Sequence, residues 1–124
     1  MGWTIRELDG RYAVARLDRD AAEPGWIDGE VTSVTRTREE LSIICRDDAV
    51  PDDVRAERGY VLFAVVGPVD FATVGLLASL TRVLAEGGVS IIAFSTYDTD
   101  YIGVPAASRS RAREAWLRVG FELE

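Results

Sequence analysis

Tyr60-Val61-Leu62-Phe63-Ala64-Val65-Val66 is a continuous apolar run of strand length, stopped by Gly67-Pro68, and it opens the part of the chain that decides the fold. Between Asp70 and Glu86, the apolar residues Phe71, Val74, Leu77, Leu80 and Leu84 recur at helical spacing. Leu76 and Val83 widen that stripe, so the segment predicts an amphipathic helix facing a core. Gly87-Gly88 supply the left-handed stop. Val89 to Phe94 reads as a second strand, and the polar link Ser95-Thr96-Tyr97-Asp98-Thr99-Asp100 leads to a third, Tyr101 to Val104. Pro105 opens a last helix with Ala112, Ala115, Trp116 and Val119 on its buried side, and Gly120 closes it before Phe121-Glu122-Leu123. The order β-α-β-β-α-β is the ferredoxin-like α+β arrangement, four antiparallel strands with two helices over one face.

Upstream, the chain is strand-rich. Tyr12 to Leu17 alternates apolar with small or polar positions, as a half-buried strand does, and Glu30 to Thr37 and Glu40 to Cys45 read as a hairpin. Pro51, set among Asp47, Asp48, Asp52 and Asp53, predicts the start of a short helix. The first half thus repeats the second in degraded form. This gives one degraded unit over residues 1–58 and one complete unit over residues 59–124, with no Ser-, Gly- or Pro-rich linker between them.

Composition narrows the function. The 124 residues are 48% hydrophobic, which excludes a disordered chain, and no run approaches the roughly 18 apolar residues of a membrane span. There is no His and only one Cys, which removes the usual general base and the usual metal ligands. No metal site and no cofactor are expected. All 14 basic residues are Arg, and against 21 acidic residues they leave a charge of −7, which disfavours nucleic acid and anionic membrane surfaces as partners. No signal peptide is expected from Met1-Gly2-Trp3-Thr4, so the cytoplasm is the default compartment. Cys45, within Leu41-Ser42-Ile43-Ile44-Cys45, reads as a buried small hydrophobe.

The stretch from Gly88 to Ile102, with Ser95-Thr96-Tyr97-Asp98-Thr99-Asp100 at its centre, resembles the ACT domains of the CASTOR arginine-sensor type and their small bacterial relatives. Those domains carry an S-T-Y/F-x-x-D-x-I/A-x-V segment in the same place. Val69-Asp70-Phe71 through Val74-Gly75-Leu76-Leu77 is similar to their strand-to-helix loop, and Ser33-Val34-Thr35 through Glu40-Leu41-Ser42-Ile43 to the hairpin of an incomplete preceding unit. The resemblance implies a non-catalytic regulatory module that binds a small molecule, usually an amino acid, at an interface between ACT units. It also implies that Ser90 and Ile91 meet the ligand from one unit, and Val74, Gly75, Ser95, Thr96 and Asp100 from the other. A chain with one complete unit would need a homodimer, or an internal substitute from the degraded half, to build that site.

The residues admit this role on physical grounds and admit others. Gly75 near a helix start lets a ligand approach backbone N–H groups, but it equally suits close helix-to-sheet packing. Asp98 and Asp100 can present carboxylates to an ammonium or guanidinium, or can bond their own turn; the second role is preferred for Asp98. Ser95 and Thr96 can donate to a ligand or satisfy the chain leaving the strand. Tyr97 and Tyr101 read as core or rim residues, with a pocket wall as the alternative. Arg118 suits the C-terminal dipole of the last helix, whereas Arg109, Arg111 and Arg113 read as a solvated face or as partners for acids of a second subunit. Two functions follow. One is the amino-acid-binding regulatory module; the other is a ligand-free ACT-type dimerisation or assembly module. An enzyme is not expected, because two acids in a turn supply neither an oxyanion stabiliser nor a cofactor loop.

Overall fold

The computed structural model describes residues 2–124. In chain order the elements are β1 (Thr4–Glu7), β2 (Tyr12–Leu17), β3 (Ser33–Arg36), β4 (Leu41–Arg46), β5 (Ala56–Val65), α1 (Leu76–Glu86), β6 (Ile92–Ser95), β7 (Asp100–Pro105), α2 (Arg109–Arg118) and β8 (Glu122–Leu123). They fall into two compact units, one made of residues 2–8 with 61–124 and the other of Asp9–Tyr60. The observed boundary at Tyr60 lies two residues from the expected one, but the first strand joins the C-terminal unit.

That first strand alters the expected sheet. In the C-terminal unit the strand order is β6-β7-β5-β1-β8. β1 pairs antiparallel with β5 through Ile5↔Val65, Arg6↔Ala64 and Glu7↔Phe63, and parallel with β8 through Thr4↔Glu122 and Ile5↔Leu123. The expected four antiparallel strands are therefore five, with one parallel pair. The two-residue β8 has β1, not β5, as its neighbour. The α+β, ferredoxin-like ACT architecture stands, with this strand added.

One face of the unit is covered by helices. Val61, Phe63 and Val65 of β5 pack with Leu76, Leu80 and Leu84 of α1 and with Ala112, Ala115 and Trp116 of α2. Trp116 is fully buried, meets Phe63 edge-on with ring centroids 4.9 Å apart, and donates its Nε1–H to the Leu80 carbonyl at 2.9 Å. Its one polar atom is thereby satisfied inside the core. Gly103 faces Leu62 and Ile92 so closely that a Cβ there would sit 2.5 Å from Ile92 Cγ1. Arg109 and Arg113 of α2 bind the carboxylate of Glu7 on β1, at 2.8 and 3.3 Å, so these two arginines tie α2 to β1 within one chain. The hydrogen bond and charge of Glu7 raise the pKa of Arg109.

Two helix expectations need correction. α1 begins at Leu76, not near Asp70, so Phe71 and Val74 lie outside it and are exposed despite their helical spacing. The reason is local: Asp70 Oδ1 accepts the Ala72 N–H at 2.8 Å and bends the chain, and Gly75 then adopts φ +84°, which a helix cannot contain. The expected last helix from Pro105 begins at Arg109 after a short 3-10 turn, with Pro105 ending β7. Val119 follows the helix and is also exposed.

The Asp9–Tyr60 unit has the order β3-β4-β2-β5, the last contributed by the first half of that strand. The expected hairpin is present as β3 and β4, with Thr37 Oγ1 accepting the N–H groups of Glu39 and Glu40 at its tip. Its core holds Ala13, Ala15, Leu41, Ile43, Cys45 and Val50. Cys45 is fully buried, and that burial pushes its thiol pKa up, which favours the protonated form. No helix starts at Pro51; a 3-10 turn at Asp47–Ala49 takes its place. Arg58 donates to the carbonyls of Asp47, Val50 and Pro51, and the Asp47 carboxylate accepts the Gly59 N–H at 2.7 Å. Those bonds occupy carbonyls that a helix would need for its own ladder. Among the described residues no helix is long and apolar enough to cross a membrane, and no group of three potential ligands could hold a metal ion.

The strand order makes a prediction about fragments. Residues 59–124 lack β1, which leaves β8 without its strand neighbour, leaves one side of β5 open and removes the Glu7 anchor of α2. The whole chain is expected to unfold in urea with one cooperative transition followed by circular dichroism, and this fragment to lack it. A cooperative transition in the fragment would mean that β1 is an accessory to the unit.

Candidate functional site

The loop from β5 to α1 is shaped by backbone bonds. Val69 donates its N–H to the Asp98 carbonyl at 2.7 Å, joining this loop to the β6–β7 turn. Gly67 permits that approach, since a Cβ there would lie 2.9 Å from the same carbonyl. The β6–β7 turn is closed by Thr96 N–H to Thr99 carbonyl at 2.9 Å and is anchored to β5 by Thr99 Oγ1–H to the Val65 carbonyl at 2.6 Å. Two loops are thus held side by side.

A cleft of about 390 Å³ lies between them. It is lined by the start of α1, Gly75 to Ala78, by Val69, Asp70, Phe71 and Thr73 of the first loop, and by Ser95, Thr96, Tyr97, Thr99 and Asp100 of the second. No side chain caps the helix, so the first-turn N–H groups retain their capacity to bind an anion. Nothing lies within 4 Å of a Cβ built on Gly75, which excludes helix-to-sheet packing as the reason for glycine there. The positive φ is the reason. Across the cleft, Ser95 Oγ–H donates to Asp100 Oδ1 at 2.5 Å, a bond between the paired ends of β6 and β7 that sets the carboxylate in place. Asp98 contributes its backbone carbonyl to the loop junction, not its carboxylate.

Of the residues expected at a site, Gly75, Ser95, Thr96 and Asp100 line this one cleft. Val74 stands beside it, 95% exposed and not lining it. Ser90 and Ile91 are elsewhere: they follow Gly87 and Gly88 beyond the far end of α1, where Ile91 packs on the core. Eleven helical residues separate the two groups by about 16 Å along the axis. Asp70 and Phe71 were expected in the strand-to-helix loop but not among the binding residues, and Tyr97 at a core or rim with a pocket wall as the alternative. Phe71 is 78% exposed and Tyr97 83%, and their rings meet at 5.0 Å across the cleft mouth. The signal for Phe71 was Asp70-Phe71-Ala72, where an Asp-initiated turn competes with the helical register. The cleft's charged side chains are Asp70 and Asp100, with no cation among its lining.

A family model for the ACT domain matches residues 55–115, and a second, described as an N-terminal domain, matches residues 10–53. Protein Atu0741 from Agobacterium tumefaciens is 34% identical, with 98% of this chain and 92% of that one covered and a TM-score of 0.92. The chain belongs to one family with Atu0741 and carries an ACT domain. No curated protein matches it. VC0802 from Vibrio cholerae, described as a possible transport protein, is similar at 20% identity, with 94% and 88% of the two chains covered and a TM-score of 0.77. The regulatory subunit of aspartate kinase from Thermus thermophilus is similar at 14% identity, with 91% and 94% covered and a TM-score of 0.62. These last two likenesses establish the fold of the ACT domain and its neighbour unit, and nothing of their ligands.

The backbone at Gly75 carries a test. Gly75→Ala places a Cβ on a left-handed residue and is expected to cost about 1–2 kcal/mol in urea unfolding. An unchanged midpoint would mean that the helix start relaxes without strain.

Proposed function

We propose that this chain is a non-catalytic regulatory module that binds an amino acid in the cleft at the start of α1, with a second copy of the chain completing the site. The observation that carries the reading is the pairing of opposite binding capacities across one small space. Uncapped first-turn N–H groups at Leu76 to Ala78 suit an α-carboxylate, and the Asp100 carboxylate, held by Ser95, suits an ammonium. A zwitterion satisfies both ends at once. Phe71 and Tyr97 at the mouth offer apolar surface to its side chain. The resemblance to arginine-sensor-type ACT domains supports the same assignment of Gly75, Ser95, Thr96 and Asp100, and of Ser90 and Ile91 as the contribution of the other unit. Ser90 and Ile91 lie beyond the opposite end of α1, and the reading assigns their contribution to a homodimer partner.

A second reading, an assembly module without ligand, is favoured by the exposure of Phe71, Val74 and Tyr97 in one neighbourhood. Thermal unfolding with each of the twenty amino acids separates the two. A ligand at about 100 times its dissociation constant adds roughly 2.7 kcal/mol to the folded state. At least one amino acid is expected to raise the midpoint, and Asp100→Ala to remove that rise while the unliganded protein still folds. No rise with any amino acid, beside a stable dimer, would assign the chain to assembly alone.

A further inference from the structure

The β6–β7 turn, residues 96–99, is closed on itself by Thr96, whose N–H meets the Thr99 carbonyl at 2.9 Å and whose Oγ1 accepts the Thr99 N–H at 3.3 Å. Those bonds fix the shape of the turn but not its place. Among the described residues two hydrogen bonds tie it to other elements, the Val69 N–H to the Asp98 carbonyl at 2.7 Å and the Thr99 Oγ1–H to the Val65 carbonyl at 2.6 Å. Packing leaves the turn room on both sides. Thr99 lines the cleft of about 390 Å³ and also a second hollow of about 490 Å³, shared with Arg6, Ala64, Pro68 and Tyr101, while Tyr97 and Asp98 are exposed. Asp100 follows Thr99 directly and opens β7, so a shift of the turn carries the Asp100 carboxylate and its Ser95 partner toward or away from α1.

We propose that Thr99 is a positioning residue: its hydroxyl holds the Asp100 carboxylate at one span from the first turn of α1, and that fixed span selects α-amino acids over their β-homologues. The inference rests on the amino-acid reading above and adds to it the device that gauges the ligand. In an α-amino acid one carbon separates the carboxylate carbon from the ammonium nitrogen; in the β-homologue two do. A cleft whose poles can move apart accepts either. A cleft whose poles are held by short bonds favours one, because hydrogen bonds to charged groups weaken steeply as their angles and lengths depart from the optimum. Gly67 belongs to the same device. A Cβ there would lie 2.9 Å from the Asp98 carbonyl and 3.5 Å from the Thr99 Cβ, so a larger residue forces the loop and the turn apart.

Isothermal titration of the full chain tests this, with two probes: whichever of the twenty amino acids raises the thermal midpoint most, and its β-homologue. Wild type is expected to bind the α form about tenfold more tightly or better, a preference of roughly 1.4 kcal/mol. Thr99→Val keeps the shape and removes the donor. It is expected to weaken the α form roughly two- to tenfold, the worth of one hydrogen bond, and to leave the β-homologue within about twofold, so that the preference narrows. Thr99→Ser returns the donor and is expected to return the preference. Gly67→Ala displaces the turn from its other neighbour, is expected to narrow the preference in the same direction, and stands in for Thr99→Val should that variant not fold. A purely structural role would lower the thermal midpoint of the unliganded protein and leave the ratio of the two dissociation constants where it was. Equal affinity of wild type for the two probes, or an unchanged ratio in the folded variants, would overturn the positioning role while leaving the amino-acid site standing. A wild-type chain whose midpoint responds to none of the twenty amino acids would overturn both.

Discussion

The insertion of β1 between β5 and β8 is the constraint on which the C-terminal unit depends. A two-residue strand such as β8 has too few ladder bonds to close a sheet edge alone. β1 offers it a parallel neighbour and, on its other side, satisfies the backbone of β5. Glu7 extends the same strand's reach to α2 through Arg109 and Arg113, and Ile5 joins the core beneath the helices. The C-terminal unit is therefore made from residues 2–8 and 61–124, with the Asp9–Tyr60 unit between them in sequence.

That construction positions the cleft. β5 leads into the loop that bends at Asp70 and turns left-handed at Gly75, while β6 and β7 bring Ser95 and Asp100 to the same place. The β5–α1 loop is tied to the β6–β7 turn through the Val69 N–H and the Asp98 carbonyl, and that turn to β5 through Thr99, so the helix start and the carboxylate border one cleft. The proposed binding draws on backbone N–H groups as well as on the Asp100 side chain. For this reason the single glycine at the helix start matters more than its absent side chain suggests.

Much of this was legible in the residues. The strand at β5, Leu80 and Leu84 of the expected helical stripe, the β3–β4 hairpin and the buried faces of Ala112, Ala115 and Trp116 follow from apolar spacing and turn chemistry, whereas Leu77 of that stripe is exposed and Leu76, expected at its margin, takes the core position. β1 did not announce itself, because Thr4-Ile5-Arg6-Glu7 has only one apolar residue and its strand state comes from partners far along the chain. The helix at Pro51 failed for the opposite reason: a sound local signal lost to Arg58 and Asp47, whose bonds are tertiary. Gly75, Ser95, Thr96 and Asp100, expected together from the motif, line one cleft; Val74, expected with them, does not, and Phe71, read as part of a helical stripe, does because the Asp70 turn interrupts that stripe.

The claim at the centre of this account is that the start of α1 and the β6–β7 turn form one binding site. Titration of the nitrogen-15-labelled protein with the amino acid that raises its thermal midpoint most, followed by amide chemical shifts, addresses it most directly. The account predicts the largest shifts at Leu76, Leu77, Ala78 and Asp100, with smaller ones at Ser90 and Ile91 from the partner's side. Shifts confined to Asp9–Tyr60, or absent from the first turn of α1, would contradict it.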